Sequence, residues 1–389
     1  MPRILPHHRV YFMQFALALS MGALLSRLPD LQRDFGLTEG QLGLLLVAMS
    51  SGVLCGMTFL GRLVDRLGAR ITVFVTLFGA SAFYALIPWM PSPAAAAPLF
   101  FAAGLLAGAF EINVNLEADR HEAVLGYRIM SRAHGMWSLG FFITALVSAG
   151  VRQASISIGF HMLAVLAVVV VSGLVVFSKV ENAPHRPNSH AGSAPLVAFP
   201  TFALLPLCLV GAAPLFAEGA GVDWSAIYMR DVFAVEPFVG GLSITIFSLA
   251  IAAGRLGMDP VVDRFNPRPV AIVLLGLAAI GLVMVATAPT PTVALIGFGL
   301  TGLGCSSVYP LAVSAAAQRT DRPASINVAA LGQMTFVVFF AGPPLLGFVA
   351  EHFGVRVSYW TVVPVVVAAL LATRALAHGV SPARAASSG

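Results

Sequence analysis

The loop that follows the second apolar run of the chain reads Gly61-Arg62-Leu63-Val64-Asp65-Arg66-Leu67-Gly68-Ala69-Arg70. A shorter version follows the eighth apolar run, as Gly254-Arg255-Leu256 and then Asp263-Arg264-Phe265. The two Gly-Arg-Leu elements stand 193 residues apart, which is about half of the 389-residue chain. This separation predicts two similar halves, arranged as a parallel repeat of six membrane spans each.

The composition places both halves in a lipid bilayer. Hydrophobic residues make up 58% of the chain and charged residues 10%, whereas soluble domains carry about 25% charged residues. The net charge of +5 comes from basic residues in short loops, which argues against a nucleic-acid-binding protein. Cys55, Cys208 and Cys305 are far apart and form no CxxC pair, so we expect no disulfide, no metal site and no cofactor.

Apolar runs bounded by charges, Pro or Gly predict an all-α integral membrane fold with twelve transmembrane helices. The N-terminal half, 1–178, has predicted spans at about 9–29, 40–60, 71–90, 96–117, 129–150 and 158–178. The C-terminal half, 200–378, has them at about 200–222, 238–258, 269–288, 292–315, 325–349 and 356–376. A polar cytoplasmic linker is predicted at 179–199 and a disordered tail at 379–389.

The basic residues predict the orientation of these spans. If the N-terminus is cytoplasmic, 17 of the 22 Arg and Lys residues fall on the cytoplasmic side and five on the outer side. The positive-inside rule therefore predicts that both termini and the linker are cytoplasmic. An odd number of spans would destroy this asymmetry, which supports twelve.

The repeated loop has the chemistry of a hinge between moving halves. Glycine permits a tight turn beside a neighbouring helix, and Asp65 can cap a helix or pair with an Arg of the adjacent loop. Such pairs can break and form again as the halves rock. Arg27, near the outer end of span 1, either snorkels to the interface or pairs with an acidic outer-loop residue as an extracellular gate. The predicted gating residues are Arg27, Gly61, Asp65, Arg66, Arg70, Arg255, Asp263 and Arg264.

The first loop resembles the signature loop of the major facilitator superfamily, a family of secondary transporters, at Gly61, Leu63, Asp65, Arg66, Gly68 and Arg70. The resemblance covers essentially the whole chain, through its twelve spans, its central linker and its degenerate second copy. It implies two pseudo-symmetric six-helix bundles around a central cavity, with alternating access by rocking. We expect the partners of the chain to be a small-molecule solute, protons and the lipid bilayer, and we expect a monomer.

Three stretches resemble the fucose permease-like branch of this family and its uncharacterised bacterial relatives: 104–117 (GLLAGAFEINVNLE), 129–140 (IMSRAHGMWSLG) and 218–228 (EGAGVDWSAIY). In that branch a membrane Glu of span 4 takes part in proton coupling, and the resemblance implies this role for Glu111. Asn115 matches a nearby Asn, and His134 falls where the permease has an Asn. The permease also has a membrane Asp in span 1, which this chain lacks at 24–29. The bacterial relatives imply an inner-membrane location.

Glu111 and His134 are the predicted proton-coupling pair. Ionisable side chains within a span cost about 2.5–3.5 kcal/mol on insertion scales, so their default role is functional. Glu111 shares a helix face with Gly104, Gly108 and Asn115, and we expect His134 of span 5 to lie at a similar depth. The structural alternatives are a Glu111 locked to an Arg or His and a neutral His134 bonded to a backbone carbonyl.

Other polar and aromatic residues of the spans are predicted to bind the solute. Glu218 is followed by Gly219 and Gly221, a pattern that predicts a weakened or broken helix. Trp224 and Tyr228 have an alternative place in an interfacial aromatic belt. We expect Glu117 to be solvated at a helix end and Pro310 to kink span 10. The predicted solute-binding residues are Gln14, Asn113, Asn115, Trp137, Glu218, Asp223, Trp224, Tyr228, Ser306, Tyr309, Asn327 and Gln333.

The motifs favour an ion-driven carrier over an enzyme. Neither GxxxxGK[ST] nor HExxH occurs in the sequence. Many drug/proton antiporters of the superfamily have a Gly-Pro-rich segment in span 5, whereas here Gly342-Pro343-Pro344 lies in span 11. This favours proton symport of a small polar solute such as a sugar. The scarcity of polar residues in the spans favours the alternative, a proton-coupled drug or metabolite efflux antiporter. A non-transporting membrane sensor is the most distant alternative.

Overall fold

The computed structural model describes residues 5–127, 129–178, 180, 183–184 and 198–379. Most of the predicted linker and nearly all of the predicted tail lie outside these residues, as does the side chain of Asp263.

The described residues of the N-terminal half form eight α-helices. They are α1 (Pro6–Leu25), α2 (Leu28–Phe35), α3 (Glu39–Phe59), α4 (Gly61–Val73), α5 (Gly79–Leu86), α6 (Pro93–Leu125), α7 (Met130–Gln153) and α8 (Ile158–Phe177). A π-helical turn, Phe74–Phe78, joins α4 to α5, and a 3-10 turn, Ile87–Trp89, follows α5. The segment from α4 to this 3-10 turn therefore forms one long span.

Residues 200–379, the part of the C-terminal half that the structure describes, also form eight α-helices. They are α9 (Leu205–Phe233), α10 (Pro237–Gly257), α11 (Asp259–Phe265), α12 (Pro267–Thr287), α13 (Pro291–Cys305), α14 (Val308–Ala317), α15 (Ala324–Phe353) and α16 (Val355–Ala372). A 3-10 segment, Thr373–Gly379, follows α16. α13 and α14 together form one span, with a break at Ser306 and Ser307.

The described residues contain eleven helical segments that are long and apolar enough to cross a membrane. The bent pair α1–α2, whose axes differ by 43°, raises the number to twelve. Pro29 near the start of α2 cannot donate a backbone hydrogen bond, which accounts for a break at this point. The predicted all-α membrane fold is confirmed. α9 runs without a break through Glu218, Gly219 and Gly221, so the predicted interruption there is wrong.

The two halves repeat with a register of 198 residues. The side chains of Ser92 and Thr290, which lie 198 residues apart, accept backbone N–H groups at the starts of α6 and α13, and each is followed by Pro. Helix packing follows the same register. A Cβ on Gly104 would lie 2.1 Å from the carbonyl oxygen of Met49, and one on Gly302 would lie 2.4 Å from that of Phe247. The glycines thus allow backbone-to-backbone packing of α6 on α3 and of α13 on α10.

This register corrects the alignment that the sequence predicted for the repeated loop. Asp65-Arg66 corresponds to Asp263-Arg264, as expected, but Gly254 corresponds to Gly56 and not to Gly61. The backbone supports this alignment, because Gly68 (φ 76°, ψ 167°) and Asn266 (φ 67°, ψ 156°) share an unusual conformation. Arg255 therefore belongs to the last turn of α10 and not to the loop.

The halves meet along two helix pairs, α3 with α15 and α7 with α10. We call the face that carries 60–70 the inner face, which the positive-inside rule assigns to the cytoplasm, and the opposite face the outer face. At the outer ends of these helices the backbones are close. A Cβ on Gly43 would lie 2.5 Å from the carbonyl oxygen of Pro343, and one on Gly241 would lie 2.5 Å from the Cβ of Ala149. The halves are thus closed at the outer face.

Candidate transport site

Four predicted residues come together in the inner part of the N-terminal half. The carboxylate of Glu111 accepts a hydrogen bond from Gln14 Nε2 at 3.1 Å and one from Asn115 Nδ2 at 3.3 Å. His134 Nε2 lies 3.8 Å from Glu111 Oε1. We call Gln14, Glu111, Asn115 and His134 the Glu111 cluster. It joins α1, α6 and α7, so its charge state affects three helices at once.

The Glu111 cluster is accessible to solvent. The side chains of Glu111 and His134 are 27% and 41% exposed, although Glu111 lies well inside α6. His134 lies near the inner end of α7. Because the halves are closed at the outer face, this exposure indicates access from the inner face. A carboxylate with an imidazole neighbour and two amide donors can bind and release a proton. Gln14 Oε1 is buried and has no hydrogen-bond partner among the described residues, so the cluster has spare acceptor capacity.

Tyr309 occupies the position of Glu111 in the C-terminal half, 198 residues later. It is close enough to Glu111 to interact with its charge. The ring also lies beside Gly211 of α9. Tyr309 therefore brings the C-terminal half into electrostatic contact with the Glu111 cluster.

A second polar centre surrounds Arg255. Arg255 Nη2 lies 3.1 Å and 3.4 Å from the two carboxylate oxygens of Glu218, and Nη1 donates to Ser138 Oγ of the other half at 3.1 Å. Arg255 Nε donates to the carbonyl oxygen of Ser306 at 3.3 Å. We call Arg255, Glu218, Ser138 and Ser306 the Arg255 bridge. The bridge connects α10, α9 and the end of α13 in the C-terminal half to α7 in the N-terminal half.

The Ser306 carbonyl is available for this bond because of Pro310. In an α-helix, residue 310 would donate its N–H to the carbonyl of residue 306, but proline has no N–H. The helix is interrupted at Ser306 and Ser307, one turn before the proline that was predicted to kink span 10, and Arg255 supplies the missing donor. Ser306 thus acts through its backbone, while its hydroxyl donates to Leu303 at 2.8 Å.

A cavity of about 180 Å³ lies between the halves, next to the Arg255 bridge. Residues of α1, α3, α7, α9 and α15 line it, and most of them are apolar or aromatic. Of the predicted solute-binding residues, Trp137, Glu218 and Asp223 line this cavity. Ser50 also lines it, but its hydroxyl is directed to the carbonyl of Leu46 in its own helix, at 3.5 Å. We call this space the central cavity.

Trp224 and Tyr228 are fully buried in the packing of the C-terminal half and do not line the central cavity. Tyr228 donates to the carbonyl of Val285 at 2.5 Å, and its ring makes edge contacts with Phe298 and Tyr359. Their burial also contradicts the alternative of an interfacial aromatic belt.

Two polar residues of α15 bond toward the inner face and not toward the central cavity. Asn327 Nδ2 donates to Asp321 Oδ1 at 3.0 Å, and Gln333 Oε1 accepts from the backbone N–H of Ala198 at 2.8 Å. Hydrogen bonds from Arg319 and then from Asn327 lower the pKa of Asp321 to about 2.

In the other half, Asn113 is buried, and its Nδ2 has no partner among the described residues.

The inner end of the N-terminal half contains an ion-pair network. Arg120 donates to Asp65 Oδ1 at 2.6 Å and to Glu117 Oε1 at 2.9 Å. Glu117 also accepts from the backbone N–H of Ala183, at 3.1 Å. The expected solvation of Glu117 is therefore wrong, because α6 continues to Leu125 and keeps Glu117 buried. Asp65 pairs with Arg120 of α6. Arg66, Arg70 and Arg264 are exposed at this face, and Gly61 begins α4.

Arg27 lies in a buried network at the outer face. It bonds to Asp30, to the carbonyl of Ile156 at 2.8 Å and to His161 Nδ1 at 3.4 Å, and Arg152 Nε lies 3.0 Å from Asp30 Oδ1. These partners all belong to the N-terminal half. The predicted snorkelling of Arg27 is thus wrong. Its acidic partner is Asp30, as expected for the alternative in which Arg27 pairs with an acidic residue at the outer face.

Other residues connect the halves at the outer face. Glu351 of α15 accepts from the backbone N–H of Gly40 at 3.0 Å and from the hydroxyl of Thr38 at 3.1 Å. Arg230 donates to Gln32 at 2.9 Å, and Gln153 donates to Glu236 at 3.0 Å. We call the Glu351, Arg230 and Gln153 contacts the outer contacts.

Sequence reasoning missed the partners that complete these networks: Asp30, Arg120, Arg152, Arg230 and Glu351. One signal was available for Arg120, which follows Glu117 by three residues within a helical pattern. Glu351 carried no comparable local signal, because its partners are more than 300 residues away.

The comparisons with known proteins agree with this geometry. The family model of the Major Facilitator Superfamily matches residues 10–235 and 213–388. The chain belongs to the major facilitator superfamily. An uncharacterised MFS-type transporter of Yersinia pestis is 26% identical over 362 residues, covering 93% of both chains. An uncharacterised transporter of Sinorhizobium fredii is 29% identical over 347 residues, covering 88% of this chain and 90% of the relative.

Solved structures of this superfamily share the fold. A variant of the nucleoside transporter NupG superposes with a TM-score of 0.75 at 14% identity, covering 96% of this chain and 100% of NupG. A bacterial homologue of the human lysosomal transporter Spinster, inward-facing and unoccupied, gives a TM-score of 0.72 at 15% identity. The match covers 97% of this chain and 98% of the homologue. The chain is thus a membrane transporter of this superfamily and not an enzyme. The finer resemblance to the fucose permease-like branch stays a prediction.

Proposed function

We propose that this major facilitator protein is a proton-coupled secondary transporter in which Glu111 binds the transported proton. The observation that carries the proposal is the Glu111 cluster, in which His134 lies 3.8 Å from a solvent-accessible membrane carboxylate. Proton binding neutralises Glu111 and weakens its attraction for His134 and for the amide groups of Gln14 and Asn115. Because these partners lie on three helices, protonation changes the free-energy difference between conformations of the transporter.

The proposal includes the setting of the transporter. It acts as a monomer in a bacterial inner membrane, with both termini in the cytoplasm. The inner face is then cytoplasmic, and the outer contacts separate the central cavity from the external medium. The loop residues Asp65, Arg66 and Arg70 and their counterparts in the second half exchange partners as the halves rock.

The walls of the central cavity bear on the choice of solute. Proton symport of a small polar solute such as a sugar is the first candidate from sequence, but a sugar site needs several hydrogen-bonding groups. Among the described lining residues, polar side-chain groups come from Ser50, Trp137, Glu218 and Asp223. The Glu218 carboxylate is already bonded to Arg255, and the Ser50 hydroxyl is already bonded to the carbonyl of Leu46. This observation favours the second candidate, antiport of protons against an apolar or amphiphilic solute.

The test is proton flux in proteoliposomes that contain a pH-sensitive dye, challenged with sugars, nucleosides and organic cations. Symport makes the lumen more acidic as the solute enters, and antiport makes it more alkaline. In Glu111→Gln we expect no solute-driven proton flux and no uphill transport, but intact solute counterflow, because exchange needs no net proton movement. Asp34→Asn neutralises an exposed carboxylate paired with its neighbour Arg33 and should leave both activities unchanged. Uphill transport by folded Glu111→Gln would overturn the proposal, and loss of counterflow would reassign Glu111 to solute binding.

A further inference from the structure

α9 places two carboxylates at the central cavity, and their surroundings differ. Glu218 lies 3.1 Å from Arg255, so its charge is compensated within the protein. Asp223, five residues later, lines the same cavity and has no hydrogen-bond or ion-pair partner among the described residues. Tyr359 is close enough to Asp223 to interact with its charge, but its hydroxyl donates to the carbonyl of Ala220 at 3.0 Å. Asp223 is thus a half-buried carboxylate available to a ligand.

The charges around the cavity do not balance. The described lining residues include two acidic side chains and no Lys, Arg or His, and Arg255 compensates Glu218. An uncompensated carboxylate in apolar surroundings is costly, and a cation brought by a ligand would remove that cost.

The walls indicate which cation fits. An inorganic cation such as Ca²⁺ or Mg²⁺ needs about six oxygen ligands. Apart from Glu218, Asp223 and Ser50, the described side chains of the lining provide no oxygen atoms. The walls instead contain aromatic rings, including Trp137, Phe141, Phe216 and Phe339. Aromatic faces attract organic cations, and apolar walls hold the remainder of such a molecule.

We propose that the central cavity binds a small organic monocation with an apolar body, such as a protonated or quaternary amine, and that Asp223 is its counter-charge. The proposal rests on the proposed function only in taking the central cavity as the solute site. The size follows from the volume, because about 180 Å³ is below the range of about 300–1,000 Å³ of pockets for drug-sized ligands. Glu218 is the positioning partner of Arg255, and Asp223 determines specificity for charge.

The test is calorimetric binding of benzyltrimethylammonium to the purified full-length transporter in detergent. This probe is permanently charged, so its binding does not depend on protonation of the ligand. Its neutral isostere, neopentylbenzene, has the same shape without the charge and is tested by competition. We expect the cation to bind, the isostere not to compete, and Asp223→Asn to lower the affinity about tenfold or more, which corresponds to about 1.4 kcal/mol per factor of ten. Asp223→Glu retains the charge and should restore most of the affinity.

The controls separate this proposal from the proton-coupling role of Glu111. Asp34→Asn makes the same chemical change at an exposed site and should bind as the parent does. Glu111→Gln is tested by proton flux and not by cation binding, because a coupled carrier links the affinities for its two ligands. Equal affinity of folded Asp223→Asn and parent, equal competition by the neutral isostere, or no binding by the parent would each overturn the cation site. None of these results would affect proton flux through Glu111, so failure of either proposal can be recognised by itself.

Discussion

The two halves of this transporter share a backbone but not their charges. At a register of 198 residues, the glycine contacts between α3 and α6 recur between α10 and α13, and the hydroxyl cap of α6 recurs on α13. The same register pairs Glu111 with Tyr309 and Met57 with Arg255. The repeat therefore determines the helix positions and the charges of the inner loops, where Asp65-Arg66 matches Asp263-Arg264. Glu111 and Arg255 of the spans instead have uncharged counterparts.

This difference separates two kinds of chemistry. In the N-terminal half, the solvent-accessible carboxylate of Glu111 lies within a span, in the inner part of the half. In the C-terminal half, two carboxylates line the central cavity: Glu218 is bound by Arg255, and Asp223 has no partner among the described residues. A carrier that couples two ligands needs two sites that respond to one conformational change. In this chain, the asymmetry of the charges supplies two such candidates within a symmetric fold.

Arg255→Met, which installs the residue of the equivalent position in the first half, has the largest expected effect. It removes the partner of Glu218 and leaves a mostly buried carboxylate uncompensated, so we expect a loss of about 3–5 kcal/mol in the free energy of unfolding. Thermal unfolding in detergent measures this loss. Adding Glu218→Gln should recover most of it, because no unpaired charge remains. An additive double mutant would show that the two residues do not depend on each other.

The fold was predictable from sequence because long apolar runs bounded by charges and prolines have few alternatives in a bilayer. The register of the repeat was not predicted correctly from the sequence. Gly-Arg-Leu after span 8 matched the loop after span 2 in letters, but Gly254 faces Leu303 and Ser306 of the α13–α14 span, as Gly56 faces Leu105 of α6. The correct register was visible in the spacing from Asp65-Arg66 to Asp263-Arg264, and only the backbone contacts decide between the two.

The candidate site was predictable in part. Glu111 and His134 could be placed at one depth because the spans that carry them follow each other in antiparallel order. The Arg255 bridge could not be predicted, because it depends on the rotation of α10 and on a carbonyl that Pro310 leaves without a donor. Trp224 and Tyr228 were assigned to the solute because aromatic residues near a carboxylate suggest a site, but the rotation of α9 directs them into the core.

The backbone equivalence of Gly68 and Asn266 gives an intermediate effect. The conformation of both residues, at φ 76° and 67° with ψ near extended values, is one that essentially only glycine adopts without strain. We expect Gly68→Ala to lower the free energy of unfolding by about 1–3 kcal/mol, and Asn266→Gly to raise it by a smaller amount. Thermal unfolding of both variants against the parent is the measurement. Stabilisation by Gly68→Ala would show that the two turns are not equivalent.

Glu351→Ala should have the smallest effect, because it removes one exposed contact between the halves. Glu351 is the carboxylate that bonds to Gly40 N–H and Thr38 at the N-terminus of α3, where the helix dipole favours a negative charge. Exposed interactions of this kind contribute about 0.5–1 kcal/mol, so we expect opening of the outer face to become several-fold more frequent without unfolding. Hydrogen exchange at the Gly40 amide reports this opening directly, and Asp34→Asn again serves as the control. Faster exchange at Gly40 with an unchanged exchange rate in the buried part of α3 indicates opening between the halves. Faster exchange throughout α3 would instead mean that the contact stabilises the helix, and that closure at the outer face depends on the glycine contacts of Gly43 and Gly241.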